Sequence, residues 1–217
     1  MVACGDADGA VTGNTRRFGA SLKKITQVVK ERTGEIMFGL NMVVHKGKTI
    51  FVGDTSVHEY PTSKQLSEIA ISSARVVRLF GFDPKVAFVS HSTFGQPLTS
   101  RTKHIKEAVE IFKDKKVNFE FDGDMQPDVA LNEEYKSLYP FSKIVGNANI
   151  LIMPGQHSAA ISYKMMKTLG DTKVIGPLLI GLGLPIEIAP LRSSTSEIIN
   201  LASIAAYSAD VINYKKN

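Results

Sequence analysis

The stretch PTSKQLSEIAISSARVVRLFGFDPKVAFVSHSTFGQP, running from Pro61 to Pro97, decides the fold class. Pro61 blocks any helix upstream of it. Thr62 and Gln65 have the spacing of a capping box, in which each side chain satisfies a backbone donor of the other residue. Leu66, Ile69, Ala70, Ser73, Val77 and Phe80 then fall on one helical face, and Gly81 ends the helix. Val86 to Val89 reads as a short buried strand. It runs into the polar loop His91-Ser92-Thr93-Phe94-Gly95-Gln96-Pro97. Helix, buried strand and polar loop are the repeating parts of an α/β fold.

The same alternation extends in both directions. Upstream, a helix is expected from Thr15 to about Lys30, with Leu22, Ile25, Val28 and Val29 as its apolar stripe and Gly34 as its stop. A hairpin follows, with strands Ile36–Val44 and Thr49–Val52 around the turn His45-Lys46-Gly47-Lys48. Downstream, the pattern predicts a helix from about Thr102 to Phe112, a strand Asn118–Phe121, and a turn at Asp122-Gly123-Asp124. A short helix near Asp128–Leu138, a strand Ile150–Met153 broken by Pro154-Gly155, and a helix Ser158–Leu169 come next. The Gly-, Leu- and Pro-rich stretch Val174–Pro190 holds strand fragments around Ile175 and Ile186. A final helix is expected from about Ser194 to Ile212. The sheet should be largely parallel.

Composition narrows the function classes. The chain has 217 residues, 43% hydrophobic and 22% charged, enough for one large α/β domain or two small ones. Its net charge of +5 is spread out and is not interleaved with aromatic residues, so no nucleic-acid partner is expected. A small anionic ligand suits this charge. The single cysteine, Cys4, excludes an intrachain disulfide and thiolate-rich zinc sites. No apolar run approaches the roughly 18 residues of a membrane span, and the start lacks the pattern of a signal peptide. A cytoplasmic protein without a membrane partner is the expectation.

Three loops fall where open α/β sheets place ligands, beyond the carboxyl ends of strands. Gly5 to Gly9 leads through Thr12-Gly13-Asn14-Thr15-Arg16-Arg17 into a helix. Amides at a helix start, a hydroxyl and two arginines suit a phosphate, and a plain turn with a helix cap is the alternative. Ser92-Thr93-Phe94-Gly95, with Arg101 nearby, suits an acyl or phosphate oxygen or simply caps a helix. In Pro154-Gly155-Gln156-His157-Ser158, His157 has no evident nucleophile or carboxylate partner and reads as structural. Arg192 stands before the last helix as a phosphate clamp. Ser194 and Glu197 have capping-box spacing. Asp122 and Asp124 make turn chemistry rather than a metal site, and no metal ligand set is expected.

In this order, the stretches DADGAVTG (Asp6–Gly13), Asp54 with PTSKQLSEIA (Pro61–Ala70), FEFDGD (Phe119–Asp124), NANILIMP (Asn147–Pro154) and IGPLLIG (Ile175–Gly181) resemble the phosphate acetyl/butyryltransferase family over nearly the whole chain. The resemblance implies a three-layer αβα architecture of the isocitrate/isopropylmalate dehydrogenase-like kind, with two domains, a cleft between them, and a homodimer. Residues 31–189 would form the second domain. Residues 1–30 and 190–217 would be remnants of the first, whose opening portion would lie outside this chain. Thr12, Gly13, Arg16, Ser92, Thr93, Gly95, Arg101, Ser158, Arg192 and Ser193 are expected to line the cleft and hold an acyl-CoA or phosphate.

A free transferase of this family moves an acetyl group between phosphate and coenzyme A. Before the last helix the family reads Leu-Ser-Arg-Gly-Cys-Ser, with an aspartate in the helix's first turn. Here Pro190 stands at the serine, Leu191 at the arginine, and Glu197 at the aspartate. Without the positioned polar pair, transition-state stabilisation is lost. His91 to Gly95, Tyr139-Pro140-Phe141 and His157-Ser158-Ala159 resemble the malic-enzyme branch, in which the transferase-like domain follows an oxidoreductase domain and senses acetyl-CoA. That branch implies an amino-terminal malic-enzyme domain as partner, with NADP and a divalent metal bound there and no cofactor in this chain. An active transferase for acetyl phosphate, with Glu197 as base, and a mere dimerisation element are the alternatives.

Overall fold

The computed structural model describes residues 1–214, with the side chains of Arg101 and of residues 212–214 outside the description. After a short 3-10 turn at Val2–Cys4, the elements are β1 (Ala10–Gly13), α1 (Phe18–Val28), β2 (Phe38–His45), β3 (Lys48–Gly53), α2 (Ser63–Leu79), β4 (Lys85–Val89) and α3 (Ser100–Lys113). Then follow β5 (Glu120–Met125), α4 (Pro127–Leu131), α5 (Glu133–Lys136), β6 (Ile150–Ile152), α6 (Gln156–Leu169), β7 (Thr172–Ile180), β8 (Ile186–Ala189) and α7 (Thr195–Tyr214). Among the described residues no helix is long and apolar enough to cross a membrane.

Six strands form one sheet in the order β5-β4-β6-β3-β2-β7. β5, β4, β6 and β3 are mutually parallel, and β2 runs antiparallel to both β3 and β7. Period-two alternation sends successive side chains to opposite faces. Phe51, Val86, Phe88, Ile150 and Ile152 join α2 and α3 in one core, where Leu66, Ile69, Val77 and Phe112 are also buried. Val52, Ala87, Val89 and Leu151 pack on the other face with Val129 of α4 and Ala159 of α6. Burying one such large apolar side chain stabilises by about 1.5–3 kcal/mol. Helices therefore cover both faces, which is why these strands read as continuous apolar runs.

The α2 capping box is present as the sequence predicts. The Thr62 N–H donates to Gln65 Oε1 at 2.8 Å, and the Gln65 N–H donates to Thr62 Oγ1 at 3.2 Å. A second box, Thr99 with Thr102, starts α3 and was not anticipated from the sequence.

β1 and β8 form a separate parallel pair, in register Ala10 to Ile186 through Gly13 to Ala189. α7 packs against β8, β1 and β7, and α1 against β8 and β1. Thr12 and Gly13, expected in a loop, are thus strand residues, held by pairing with a distant partner strand.

Three other expectations are corrected. Asp122-Gly123-Asp124 is not a turn but the middle of β5, paired with Ala87 and Phe88 of β4. Both carboxylates accept backbone N–H groups of neighbouring loops, which removes the need for turn geometry. The fragment around Ile175 is the nine-residue β7, and Gly176-Pro177 lies inside it. β7 is an edge strand, where a missing N–H is tolerated. The single helix expected over Asp128–Leu138 is two, divided at Asn132, whose side chain caps the second by accepting the Glu134 N–H at 3.0 Å.

Candidate functional site

The loops that leave β1 and β8 lie side by side at the carboxyl ends of the parallel pair. The Asn14 N–H donates to the Ala189 carbonyl at 2.9 Å, and the Arg192 N–H donates to the Asn14 carbonyl at 3.2 Å. This lacing sets Gly13 and Asn14 against Ala189 and Arg192; Thr12 pairs with Ile188 one step earlier, and Arg16 and Ser193 follow on the two segments. Both Asn14 and Arg192 have left-handed backbone, at φ 63° and 59°. Asn tolerates that conformation, whereas for Arg it is uncommon. Gly13 has φ 109°, and a Cβ there would lie 2.3 Å from the Ala189 carbonyl oxygen, so only glycine fits.

Arg16, Arg17 and Arg192 are exposed and form no ion pair among the described residues. The two segments joined by this lacing thus carry three exposed arginines, a residue type that suits phosphate. Asn14 Oδ1 is buried and has no hydrogen-bond partner among the described residues.

Glu197, in the first turn of α7, is already engaged. Its Oε2 accepts the Ser194 N–H at 2.7 Å and the Ser194 hydroxyl at 3.0 Å, and the Glu197 N–H returns a bond to Ser194 Oγ at 3.3 Å. That is the capping box of α7. Its Oε1 accepts from Lys167 Nζ of α6 at 2.5 Å. Partial burial alone would raise the carboxyl's pKa. The Lys167 ammonium and the Ser194 donors outweigh burial and hold it below the ordinary carboxylate value. Lys167 is a site neighbour that the sequence did not signal, because nothing local relates a residue late in α6 to the first turn of α7.

Ser92, Thr93 and Gly95 form a second cluster, at the carboxyl end of β4. Ser92 is fully buried and its hydroxyl donates to Asp124 Oδ2. The Gly95 N–H donates to Asp124 Oδ1 at 2.9 Å, and Thr93 Oγ1 accepts the Gln126 N–H at 3.3 Å. These polar groups hold the loop onto β5. No hydrogen bond or ion pair among the described residues joins them to the Arg192 loop. Arg101 lies in α3, with its side chain outside the described residues. Among the described residues, no group of three or more His, Cys, Asp and Glu side chains is arranged to hold a metal ion.

A third cluster joins the loops after β3 and β6. Asp54, fully buried, accepts the N–H groups of Gly39, Ser56, Val57 and His58 and lies 2.8 Å from His58 Nδ1. His157, unpartnered in the sequence reading, meets Glu59 Oε1 at 3.2 Å and stacks on Tyr60. Ser158 donates to the Gly155 carbonyl at 2.9 Å, one turn back at the start of α6.

The profile of the family described as "Phosphate acetyl/butaryl transferase" matches residues 1–206. The chain belongs to that family. An NADP-dependent malic enzyme of Rhizobium meliloti is 44% identical over 209 residues, which are 96% of this chain and 28% of that protein. The phosphate acetyltransferase of Bacillus subtilis is 31% identical, over 96% of this chain and 65% of its own length. The solved structure of a phosphotransacetylase from Streptococcus pyogenes superposes with a TM-score of 0.88 at 31% identity, covering 96% of this chain and 64% of that one. The chain thus spans a little over a quarter of the malic enzyme and under two thirds of the transferases. Leu191, in the loop before α7, is half exposed.

Proposed function

We propose that this chain is a ligand-binding, regulatory module that takes acetyl-CoA, or acetyl phosphate, at the laced loops after β1 and β8, and that it has no transferase activity of its own. The observation that carries the reading is the state of Glu197. A base for a thiol needs a free carboxylate with raised proton affinity. Glu197 is instead held by Lys167 and Ser194, and its proton affinity is lowered. Pro190 and Leu191 supply no polar pair to an acyl group. Arg16, Arg17 and Arg192 still suit a phosphorylated ligand.

In this reading, residues 1–30 and 190–217 belong to one transferase-like domain and residues 31–189 to another, with the ligand cleft between them and a homodimer as the assembly. The separation of the β1–β8 pair from the six-stranded sheet supports two units, but it draws β8, residues 186–189, to the first of them, which favours a boundary between β7 and β8. The likeness to NADP-dependent malic enzymes supports a malic-enzyme domain attached to this module. That domain would convert malate to pyruvate, bind NADP and a divalent metal, and work in the cytoplasm. A ligand would regulate it through its differential affinity for two states of the whole protein.

The test is calorimetric titration with acetyl-CoA, run beside an assay for acetyl-CoA formation from acetyl phosphate and coenzyme A. Saturable binding, weakened by Arg192→Ala, with no turnover is the expected result. Turnover that disappears in Glu197→Gln would overturn the reading in favour of an active transferase.

A further inference from the structure

The second half of α2, the β7–β8 connection and α7 enclose a cavity of about 380 Å³. It adjoins the amino end of β8, whereas the Arg192 loop leaves the carboxyl end of that strand. Most of its wall is apolar, with Leu79, Phe80, Leu178, Ile204 and Val211 among the lining residues. One lining side chain is out of character. Glu187 of β8 is only 4% exposed, and its one described hydrogen bond is from the Leu179 N–H to Oε2, at 2.9 Å. The proposed ligand site at Arg192 makes no use of it.

The titratable groups that line the same cavity are Arg32 and Glu35 from the segment before β2, Arg75 from α2, and Tyr207 from α7; β7 faces Glu187 with the Leu179 amide. Glu35 Oε1 accepts from Arg75 Nη1 at 2.6 Å and from Arg32 Nη1 at 3.4 Å. Two guanidinium groups around one carboxylate leave one net positive charge. Burial pushes the Glu187 carboxyl up to about 8, against a smaller opposing effect of the Leu179 bond. At neutral pH it is therefore mostly the uncharged acid, a hydrogen-bond donor.

We propose that this cavity is a binding site for a monocarboxylate with an apolar chain of medium length. The chain would lie against Phe80, Leu178 and Ile204, and the carboxylate would be recognised by the Glu187 acid proton and the Arg32–Glu35–Arg75 group. The volume is in the range of small-molecule pockets, roughly 300–1,000 Å³. A purely apolar guest would leave the Glu187 donor without a partner, a cost of about 1–3 kcal/mol. An amine would meet the positive group and would require Glu187 to ionise in an apolar wall. A carboxylate satisfies both features.

The test is titration of the chain with octanoate, octanol and octylamine at about pH 6.5 and about pH 9. Octanoate should bind best at the lower pH. It should bind about tenfold more weakly at the higher one, where Glu187 is ionised and repels it. Glu187→Gln keeps a donor and cannot ionise, so it should bind octanoate with that pH dependence removed. Ser208→Trp, on the cavity wall, should abolish binding, with its melting temperature as the folding control. If that variant does not fold, the pH profiles of the wild type and of Glu187→Gln decide alone. Preference for octylamine, equal affinity for octanol, an unchanged pH profile in Glu187→Gln, or no octanoate binding at either pH would each overturn the proposal. None of these outcomes touches the acetyl-CoA reading, which rests on the opposite end of β8.

Discussion

Lys167 Nζ stands 2.5 Å from Glu197 Oε1, so the last part of α6 is tied to the first turn of α7. Glu197 has a lowered proton affinity in the folded state. Its contribution to stability is therefore present above the unfolded-state value, near 4.5, and is lost as pH falls through the folded value. Replacing Lys167 with Met should raise the Glu197 pKa, read by carboxyl NMR titration. The partners are 49% and 27% exposed, so the loss of stability above pH 5 should be at most about 1 kcal/mol. A Glu197 titration that does not move would show that the pair is not held in solution.

Gly13→Ala should separate β1 from β8. The new methyl group would sit 2.3 Å from the Ala189 oxygen, at a backbone φ of 109°. Backbone strain alone costs about 1–3 kcal/mol, and the overlap adds to it. Denaturant unfolding should show the loss, and acetyl-CoA binding should fall with it, because Asn14 and Arg192 are laced across the same edge.

Asp54→Ala should be among the most damaging single substitutions. It strips the acceptor from four backbone N–H groups and from His58 in a fully buried site. A loss of about 3–5 kcal/mol is expected by equilibrium unfolding, and Asp54→Asn, which keeps one acceptor oxygen, should lose less. Similar midpoints for the two variants would rule out the acceptor role.

Arg16→Ala and Arg192→Ala should each weaken acetyl-CoA binding about tenfold without a change in melting temperature, since both side chains are exposed and unpaired among the described residues. Binding measured at rising salt should weaken steeply in the wild type and less so in either variant. Unchanged affinity in both would move the ligand site away from these loops.

The parts of the fold set by local chemistry were legible in the sequence. Thr62 with Gln65 marks the start of α2, and the apolar run Val86–Val89 marks β4, because caps and burial act over a few residues. The parts set by distant partners were not. Asp122-Gly123-Asp124 has turn composition, yet loops at Gly95 and Lys143 donate to its carboxylates and keep it in β5. Gly176-Pro177 reads as a break, and only its place at the sheet edge permits a continuous β7. At the site, the Ser194–Glu197 box was visible for the same reason as the α2 cap. The Lys167 contact, the orphaned Asn14 oxygen and the burial of Ser92 depend on how separate elements meet, and no spacing in the chain encodes them.

The pairing of residues 10–13 with residues 186–189 has a consequence for the order of events during synthesis. Every strand of the larger sheet precedes β8 in the chain, so that sheet can close before the β1–β8 pair does. The β1–β8 pair cannot form until β8 arrives, and closing so long a loop is entropically costly until it is rewarded by contacts. The arginine-bearing loops acquire their shape only at that last step. If these loops hold a ligand as proposed, a nascent chain cannot bind it there until translation has passed β8.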